Sequence, residues 1–340
     1  MATVLVTGGA GFIGSHLVTR LVRNGYAVRV LDDLSTGSMS NLSHLPEDAF
    51  EMLIGNILDP GPLHDAVLGD MRDDRADYIL HQAAIPSVPR SVKDPDGTFD
   101  ANVRGTQALL EAAAEGGVKK LIMASSSSVY GGATPAVETM AMSPRSPYAA
   151  HKASCEHLCE AYRHTFGLAT VCLRYFNVFG PRQDPDSPYS AVIPAFIKSM
   201  EAGLPVSIHG DGLQSRDFTY VDNVVDANLL AMSTAMDGVF NVGCGSSQSL
   251  LDLVRHLELV LGRKARAVHA EPREGDVRHS LAVVDKIAAF GYRPRVCLRD
   301  GLAKTVDWFG GRLPRAGATS QLPGADSTEP GGTMSGPSSR

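Results

Sequence analysis

Thr7-Gly8-Gly9-Ala10-Gly11-Phe12-Ile13-Gly14 joins an apolar run, residues 2–7, to an amphipathic one, residues 12–24. The first run reads as a β-strand and the second as an α-helix, so the glycines lie in the turn between them. Gly8, Gly11 and Gly14 give the pattern G-x-x-G-x-x-G. The first permits a tight turn, the second lets a pyrophosphate approach the backbone, and the third lets the helix pack closely. Phe12, Ile13 and Gly14 then open the helix, offering free N–H groups and the positive end of its dipole to phosphate. Asp32 and Asp33 follow Gly14 by 18 and 19 residues, closing the next apolar run. An acid there accepts from both hydroxyls of an adenosine ribose and repels a 2′-phosphate, and no nearby arginine is offered to pair with one. The expected cofactor is NAD rather than NADP.

Strand and helix signals alternate outward from this turn. Strands are predicted over 27–31, 50–54, 78–81 and 120–124, and helices over 60–71 and 94–116. A helix over 146–166 and a strand over 169–173 follow. Such alternation implies right-handed βαβ units: an α/β fold with a Rossmann-type doubly wound parallel sheet. Beyond about Gly180 the pattern loosens, with helices expected over 187–203 and 250–261. The expected division is a nucleotide domain over 1–180, with some later segments returning to it, and a smaller C-terminal α/β substrate lobe over 181–309. The lobe would complete a cleft at the C-terminal edge of the sheet. Residues 310–340, dominated by Gly, Pro, Ser, Thr and Ala, read as a disordered tail.

The bulk numbers exclude several classes. The 340 residues carry 31 basic and 37 acidic side chains, a net charge of −6, which argues against nucleic acid or an anionic membrane as partner. No apolar run is long enough to span a bilayer, and the start lacks the basic n-region of a signal peptide. Five widely spread cysteines suit free thiols in a reducing cytoplasm better than a disulfide framework. Cys155 and Cys159 lie four apart on a predicted helix, but no further ligands cluster with them and no metal is expected.

Tyr148-Ala149-Ala150-His151-Lys152 gives Tyr-x-x-x-Lys, which puts phenol and ammonium one turn apart on one helix face. A cation beside a phenol favours phenolate, the form that takes a proton. Ser125-Ser126-Ser127-Ser128-Val129-Tyr130-Gly131 follows the strand that ends at Ala124. Serine hydroxyls at such a strand end point into the cleft, where one can hydrogen-bond a substrate hydroxyl and share its proton with Tyr148. Ser126 and Ser127 are both candidates.

These motifs resemble the extended short-chain dehydrogenase/reductase superfamily, and within it the UDP-sugar 4-epimerases. The likeness covers residues 2–309. It includes His81-Gln82-Ala83-Ala84, Arg174-Tyr175-Phe176-Asn177-Val178-Phe179-Gly180, Ala191-Val192-Ile193-Pro194, Gly210-Asp211-Gly212, Arg216-Asp217-Phe218-Thr219-Tyr220-Val221 and Arg273-Glu274-Gly275-Asp276-Val277-Arg278. The resemblance implies cofactor contacts at Asn56, Ile57, Gln82, Ala83, Ala84, Tyr148 and Lys152. It implies that Asn177 touches the sugar diphosphate, that Val192 and residues 207–209, ending at His209, form the uracil pocket, that Arg216 and Arg273 clamp the diphosphate, and that Asp276 accepts from the uridine ribose. Gly55-Asn56-Ile57 departs from the usual Gly-Asp-Ile or Gly-Asp-Val, although the Asn56 carbonyl can still accept from an adenine amine.

Ser87, within Ser87-Val88-Pro89-Arg90-Ser91, and Ser280 resemble positions of epimerases that accept N-acetylated sugars, with Arg90 a further substrate candidate. Arg182 could instead reach the C6 carboxylate of UDP-glucuronate. The implied reaction is NAD-dependent C4 epimerisation through a 4-keto sugar, on UDP-GlcNAc/UDP-GalNAc or UDP-glucuronate/UDP-galacturonate, with UDP-glucose/UDP-galactose also open. UDP-glucuronate decarboxylases and 4,6-dehydratases share the scaffold but usually carry acids where this chain has Ser127 and Ser128. A non-catalytic nucleotide-binding protein is the reading from another class. A homodimer through the helices near 94–116 and 146–166 is implied by resemblance.

Overall fold

The alternating apolar strands and amphipathic helices assemble as βαβ units. The computed structural model describes residues 1–69, 74–185, 191–271 and 277–310. Its first half runs β1 (Thr3–Thr7), α1 (Phe12–Arg23), β2 (Ala27–Asp32), β3 (Glu51–Ile54), α2 (Pro60–Leu68), β4 (Tyr78–His81), α3 (Val88–Lys93), α4 (Pro95–Phe99), α5 (Gly105–Glu115), β5 (Lys120–Ser126), α6 (Pro147–Phe166) and β6 (Thr170–Tyr175). Then come β7 (Val178–Phe179), α7 (Val192–Glu201), β8 (Val206–His209), β9 (Ser215–Arg216), β10 (Thr219–Tyr220), α8 (Val221–Ser233) and β11 (Gly238–Val242). Last are β12 (Gln248–Ser249), α9 (Leu250–Leu261), β13 (Ala267–Ala270), α10 (Asp285–Ala288) and α11 (Leu298–Gly310).

Seven parallel strands form the sheet in the order β11-β6-β5-β4-β1-β2-β3. The order reverses between β1 and β4, which opens a crevice beyond their C-terminal ends. Two apolar cores cover the sheet. Val4, Val6, Leu17 and Leu21 lie in one, with Val224 and Ala231 of α8. Leu5, Ile79, Leu109 and Leu121 lie in the other, with Cys155 and Cys159 of α6. A third core, around Phe196, Ile197, Leu253, Leu257, Leu302 and Phe309, joins α7, α9 and α11. Helix α8 and strand β11 come from the later chain but belong to the sheet. Among the described residues, no helix is long and apolar enough to cross a membrane.

Three differences from the sequence pattern have physical causes. Strands β5 and β6 run past their predicted ends at 124 and 173, pairing Ser125 with Arg174 and Ser126 with Tyr175. Polar residues there read as loop, although a strand end beside a cleft tolerates them. The helix expected over 94–116 is broken by a π-helical turn, Asp100–Arg104, between α4 and α5. The Asn102 side chain sits in that turn, accepting from Ile85 N at 2.7 Å and donating to Ile85 O at 3.2 Å. The helix expected from 187 starts at Val192; residues 186–190 lie outside the described residues, as does the expected tail over 311–340.

Candidate active site

The glycine turn is built as its spacing requires. Gly8 has φ +69, and a Cβ there would come within 2.7 Å of Ala83 N on the neighbouring strand end. A Cβ on Gly14 would overlap Gly8 O, so α1 can start this close to the turn only without one. At Gly11 a Cβ would meet only Gly8 O, at 3.2 Å, and would otherwise fill the space above the turn. Gly11 caps α1 without any side-chain bond, so the opening N–H groups of Phe12, Ile13 and Gly14 face the crevice uncapped. A dinucleotide pyrophosphate fits this cradle, as a negative group at the end of a twelve-residue helix.

The two aspartates divide their work. Asp32, 8% exposed, accepts from Ala10 N at 2.9 Å and Leu34 N at 2.8 Å, tying the glycine turn to the end of β2. Burial raises its carboxyl above the usual range. Each oxygen keeps a lone pair for a ribose hydroxyl. Asp33 is exposed, and its Oδ2 accepts from Asn56 Nδ2 at 2.9 Å. This explains the amide at 56: a second carboxylate would meet the first head-on. Asn56 Oδ1 already accepts from Leu58 N at 2.9 Å, so an adenine amine would share it. Ile57 is buried in the sheet core, and what it offers a ligand is main chain. Gln82 donates to Tyr175 Oη at 3.2 Å, below the turn, while Ala83 and Ala84 lie half-buried beside Gly8.

A directed hydrogen-bond chain holds this strand end. Ala83 N donates to Thr7 Oγ1 at 3.4 Å, and Thr7 Oγ1 meets His81 Nδ1 at 2.7 Å. His81 Nε2 meets Thr106 Oγ1 at 3.0 Å, which donates to Asn102 O at 2.5 Å. Because Thr106 spends its proton on Asn102, His81 must carry its own on Nε2. Burial, with Lys152 nearby, pushes the imidazole down to about 3, so it stays neutral.

On α6, Lys152 is 5% exposed and donates Nζ to Ala124 O of β5 at 2.8 Å. Tyr148 is half-buried in the first turn, and Ser91 Oγ accepts from its N–H at 3.0 Å. The four strand-end serines have four different environments. Ser125 Oγ donates to Glu156. Ser126 Oγ accepts from Ser128 N at 3.2 Å and keeps its proton to donate. Ser127 is half-buried, and Ser128 Oγ is buried with no partner among the described residues.

The other end of the cleft is assembled from distant segments. Asn177 has φ +34, and its Nδ2 donates to Asp217 O at 3.3 Å and Ser280 Oγ at 3.4 Å. Asp217 is fully buried and accepts from Cys244 N at 2.8 Å, Gly245 N at 3.0 Å and Ala282 N at 3.2 Å. Burial outweighs these bonds and pushes its carboxyl up to about 6. Arg216 donates to Ser215 O at 2.9 Å, on the strand pair that β9 makes with β12. His209 Nδ1 lies 2.9 Å from Glu271 O, and Val192 opens α7. Arg273 and Asp276 lie outside the described residues.

Two candidates are engaged elsewhere. Ser87 caps α3 through Arg90 N at 3.1 Å, and the Arg90 side chain is half-buried on that helix. Arg182 turns to α1, donating to Thr19 Oγ1 at 3.1 Å, with His44 Nε2 at 3.2 Å. A C6 carboxylate would have to draw it off these partners. Among the described residues no group of His, Cys, Asp or Glu could hold a metal ion.

Residues 4–243 match the NAD dependent epimerase/dehydratase family. The chain belongs to the NAD-dependent epimerase/dehydratase family. A UDP-glucose 4-epimerase of Mycolicibacterium smegmatis is 41% identical over 314 residues, covering 90% of this chain and 97% of the relative. A UDP-N-acetylglucosamine 4-epimerase of Methanobrevibacter ruminantium superposes with TM-score 0.87 at 38% identity, covering 92% of this chain and 99% of that one. A UDP-glucuronic acid 4-epimerase of Bacillus cereus, solved with UDP-glucuronic acid and NAD, gives TM-score 0.83 at 36% identity, over 91% and 99%.

Sequence reasoning passed over Ser91, Ser125, Glu156, Arg174, Asp217 and the Thr7–His81–Thr106 chain. Thr7, His81, Ser91, Ser125, Arg174 and Asp217 stood within the quoted motifs without a role of their own, and Glu156 continues the Tyr148–Lys152 face by one more turn.

Proposed function

We propose that the protein interconverts UDP-hexoses at C4, using tightly held NAD. The observation that carries this is the placement of Tyr148 and Lys152 on α6 over the serine-bearing end of β5, beside the glycine turn. NAD, when bound, supplies reversible acceptance of hydride from C4. Tyr148 takes the proton of the sugar 4-hydroxyl, and Lys152, anchored on Ala124 O, holds a positive charge near the phenol. Ser126 or Ser127 orients the 4-hydroxyl. Arg216, with Arg273, holds the diphosphate while the 4-keto sugar turns over, which lets the opposite face be reduced. Elimination or decarboxylation would call for an acid or base beside the helper residue, and Ser127 and Ser128 are hydroxyls.

The substrate we favour is neutral: UDP-GlcNAc/UDP-GalNAc or UDP-glucose/UDP-galactose. Arg182 is committed to Thr19 and His44, which weakens the case for a C6 carboxylate. Ser280, beside Asn177, is small enough to leave room near C2. We further propose a homodimer through α4–α6, beside which Val92 of α3 and Phe99 of α4 stand 64% and 42% exposed, and a cytoplasmic location suited to five free cysteines.

The test is NMR of purified protein with UDP-GlcNAc, UDP-glucose and UDP-glucuronate in separate tubes, without added cofactor. The galacto-configured partner should form from a neutral sugar. Conversion of UDP-glucuronate alone would overturn the substrate class, and UDP-xylose or a 4-keto-6-deoxy sugar would overturn the reaction.

A further inference from the structure

Glu156 has no step in the chemistry above, yet it lies one turn beyond Lys152 and two beyond Tyr148 on the same face of α6, 4% exposed. A buried carboxylate is costly unless paired and hydrogen-bonded. Here it is both. Arg174 of β6, 3% exposed, donates Nε to Oε1 at 2.9 Å and Nη2 to Oε2 at 2.6 Å. Ser125 Oγ donates to Oε1 as well. The guanidinium lies 4.6 Å from the centre of the Tyr130 ring, and Tyr130 Oη donates to Asn241 Oδ1 at 2.7 Å. One ion pair therefore gathers α6, the end of β5, the 3-10 turn Ser127–Tyr130 and, through Asn241, β11.

The directions of these elements give the pair a mechanical meaning. Strands β5 and β6 are parallel, and α6 connects them, so α6 runs back along the sheet. Helical side chains lean toward the helix N-terminus, here toward the C-terminal ends of the strands. Lys152 reaches Ala124 O, and Glu156 reaches Ser125. These two rungs join one helix face to neighbouring residues of one strand, and they cross, because α6 runs antiparallel to β5 while the later helix residue meets the later strand residue. They set how far α6 can slide along β5. Tyr148 rides on α6, whereas Ser126 and Ser127 ride on the end of β5 and its turn. The distance between phenol and serine hydroxyls is the quantity the rungs control.

We propose that Glu156, clamped by Arg174 and joined to Ser125, is a positioning residue that sets the register of α6 against β5 and so aligns Tyr148 with Ser126 and Ser127 on the sugar 4-hydroxyl. The proposal rests on the epimerase reading of the site. A second observation agrees with a geometric role: Arg174 Nη1 is buried with no acceptor among the described residues. A pair kept for stability alone would gain by satisfying that donor or by giving way to apolar side chains.

The NAD-loaded enzyme tests this through three variants. Ser125→Ala removes one rung without unpairing a charge. Glu156→Asp keeps the charge and withdraws it by one methylene. The triple replacement Ser125→Ala, Glu156→Gln, Arg174→Met removes the whole device without leaving a lone charge, should Glu156→Asp fold poorly. Each should lower kcat by about 10- to 100-fold with KM changed less than about twofold, as misplacement of a reacting group by up to about 1 Å does. The pH midpoint of kcat should move with it, while Tm of Ser125→Ala stays near that of the parent. Unchanged kcat and pH midpoint in folded Ser125→Ala would overturn the proposal and leave the epimerase reading standing. If the parent enzyme turned over no UDP-hexose, that reading would fall by itself. An alkaline ultraviolet titration of Tyr148, taken as parent minus Tyr148→Phe, would then decide the positioning role: a midpoint moved by Ser125→Ala supports it, and an unmoved one overturns it.

Discussion

At the proposed cofactor end of the cleft, between β1 and β4, the surface around the glycine turn is main chain. Gly8, Gly11 and Gly14 contribute by lacking side chains, and α1 contributes its uncapped N–H groups. At the substrate end the surface is side chain, and it is held by residues far apart in sequence. Asp217 staples the 243–245 and 280–282 segments, and Asn177 meets Ser280. The glycine cradle at the first end is a local object, complete within residues 7–14. The second exists only once four chain segments have met. The two ends should therefore fail differently when cut.

The largest expected effect is at the cofactor end. Gly14→Ala drives a methyl into Gly8 O, and since this is backbone against backbone neither side can yield cheaply. We expect loss of co-purifying NAD and about 3 kcal/mol of stability, read by absorbance of the released nucleotide and by urea unfolding. Retained NAD would show that the turn is more compliant than its geometry. Tyr148→Phe is next. It should lower kcat by about 10²- to 10⁴-fold while NAD content and UDP-sugar affinity stay near parental values, a split that calorimetry and steady-state rates resolve.

Asp217→Asn cuts the substrate end alone. KM for the UDP-sugar should rise about tenfold, because the amide keeps one acceptor oxygen and turns its NH2 against at least one backbone N–H that the carboxylate received, a buried donor left unsatisfied at a cost of about 1–3 kcal/mol. NAD content should not change. The same carboxyl gives a pH signature. Its folded value, about 6, lies above the ordinary 3.8, so the folded state binds the proton more tightly. Its contribution to stability is fully present below about pH 4 and is lost as pH rises through 6. A Tm profile across pH 4–7 should show this decline in the parent and lack it in Asp217→Asn.

Smaller effects sharpen the contrast. Asn56→Asp sets a second carboxylate at the Asp33 contact, worth about 1 kcal/mol between exposed charges, so NAD should bind a few-fold more weakly in dilute buffer and recover with added salt. Arg182→Ala should change neutral-sugar turnover by less than about twofold, as expected for a side chain engaged with α1 rather than with the sugar. A loss specific to UDP-glucuronate would instead restore the carboxylate role.

Much of this was legible in one dimension. The period of the apolar residues indicated a doubly wound sheet, and the glycine spacing located its crevice, because both follow from backbone geometry within a few residues. Tyr148 and Lys152 could be paired for the same reason, since an interval of four on a helix fixes their relative direction. Ser126 and Ser127 could be placed at a strand end. Which of the four serines faces the ligand could not, because that depends on Glu156 drawing Ser125 inward and on the turn that uses Ser126 as its cap. Asp32 and Asp33 looked equivalent as neighbours. Burial under Ala10 and Leu34 on one side, and contact with Asn56 on the other, made them different.

By itself, then, the sequence determined whatever a short stretch of backbone enforces: the strand–turn–helix at Gly8–Gly14, the order of the βαβ units and the common face of Tyr148 and Lys152. The tertiary structure alone decided the direction of Arg182, the staple at Asp217 and the convergence of Ser125, Glu156 and Arg174. Those depend on burial and on hydrogen bonds between residues 18 to 163 positions apart, and no local pattern encodes a partner at that range.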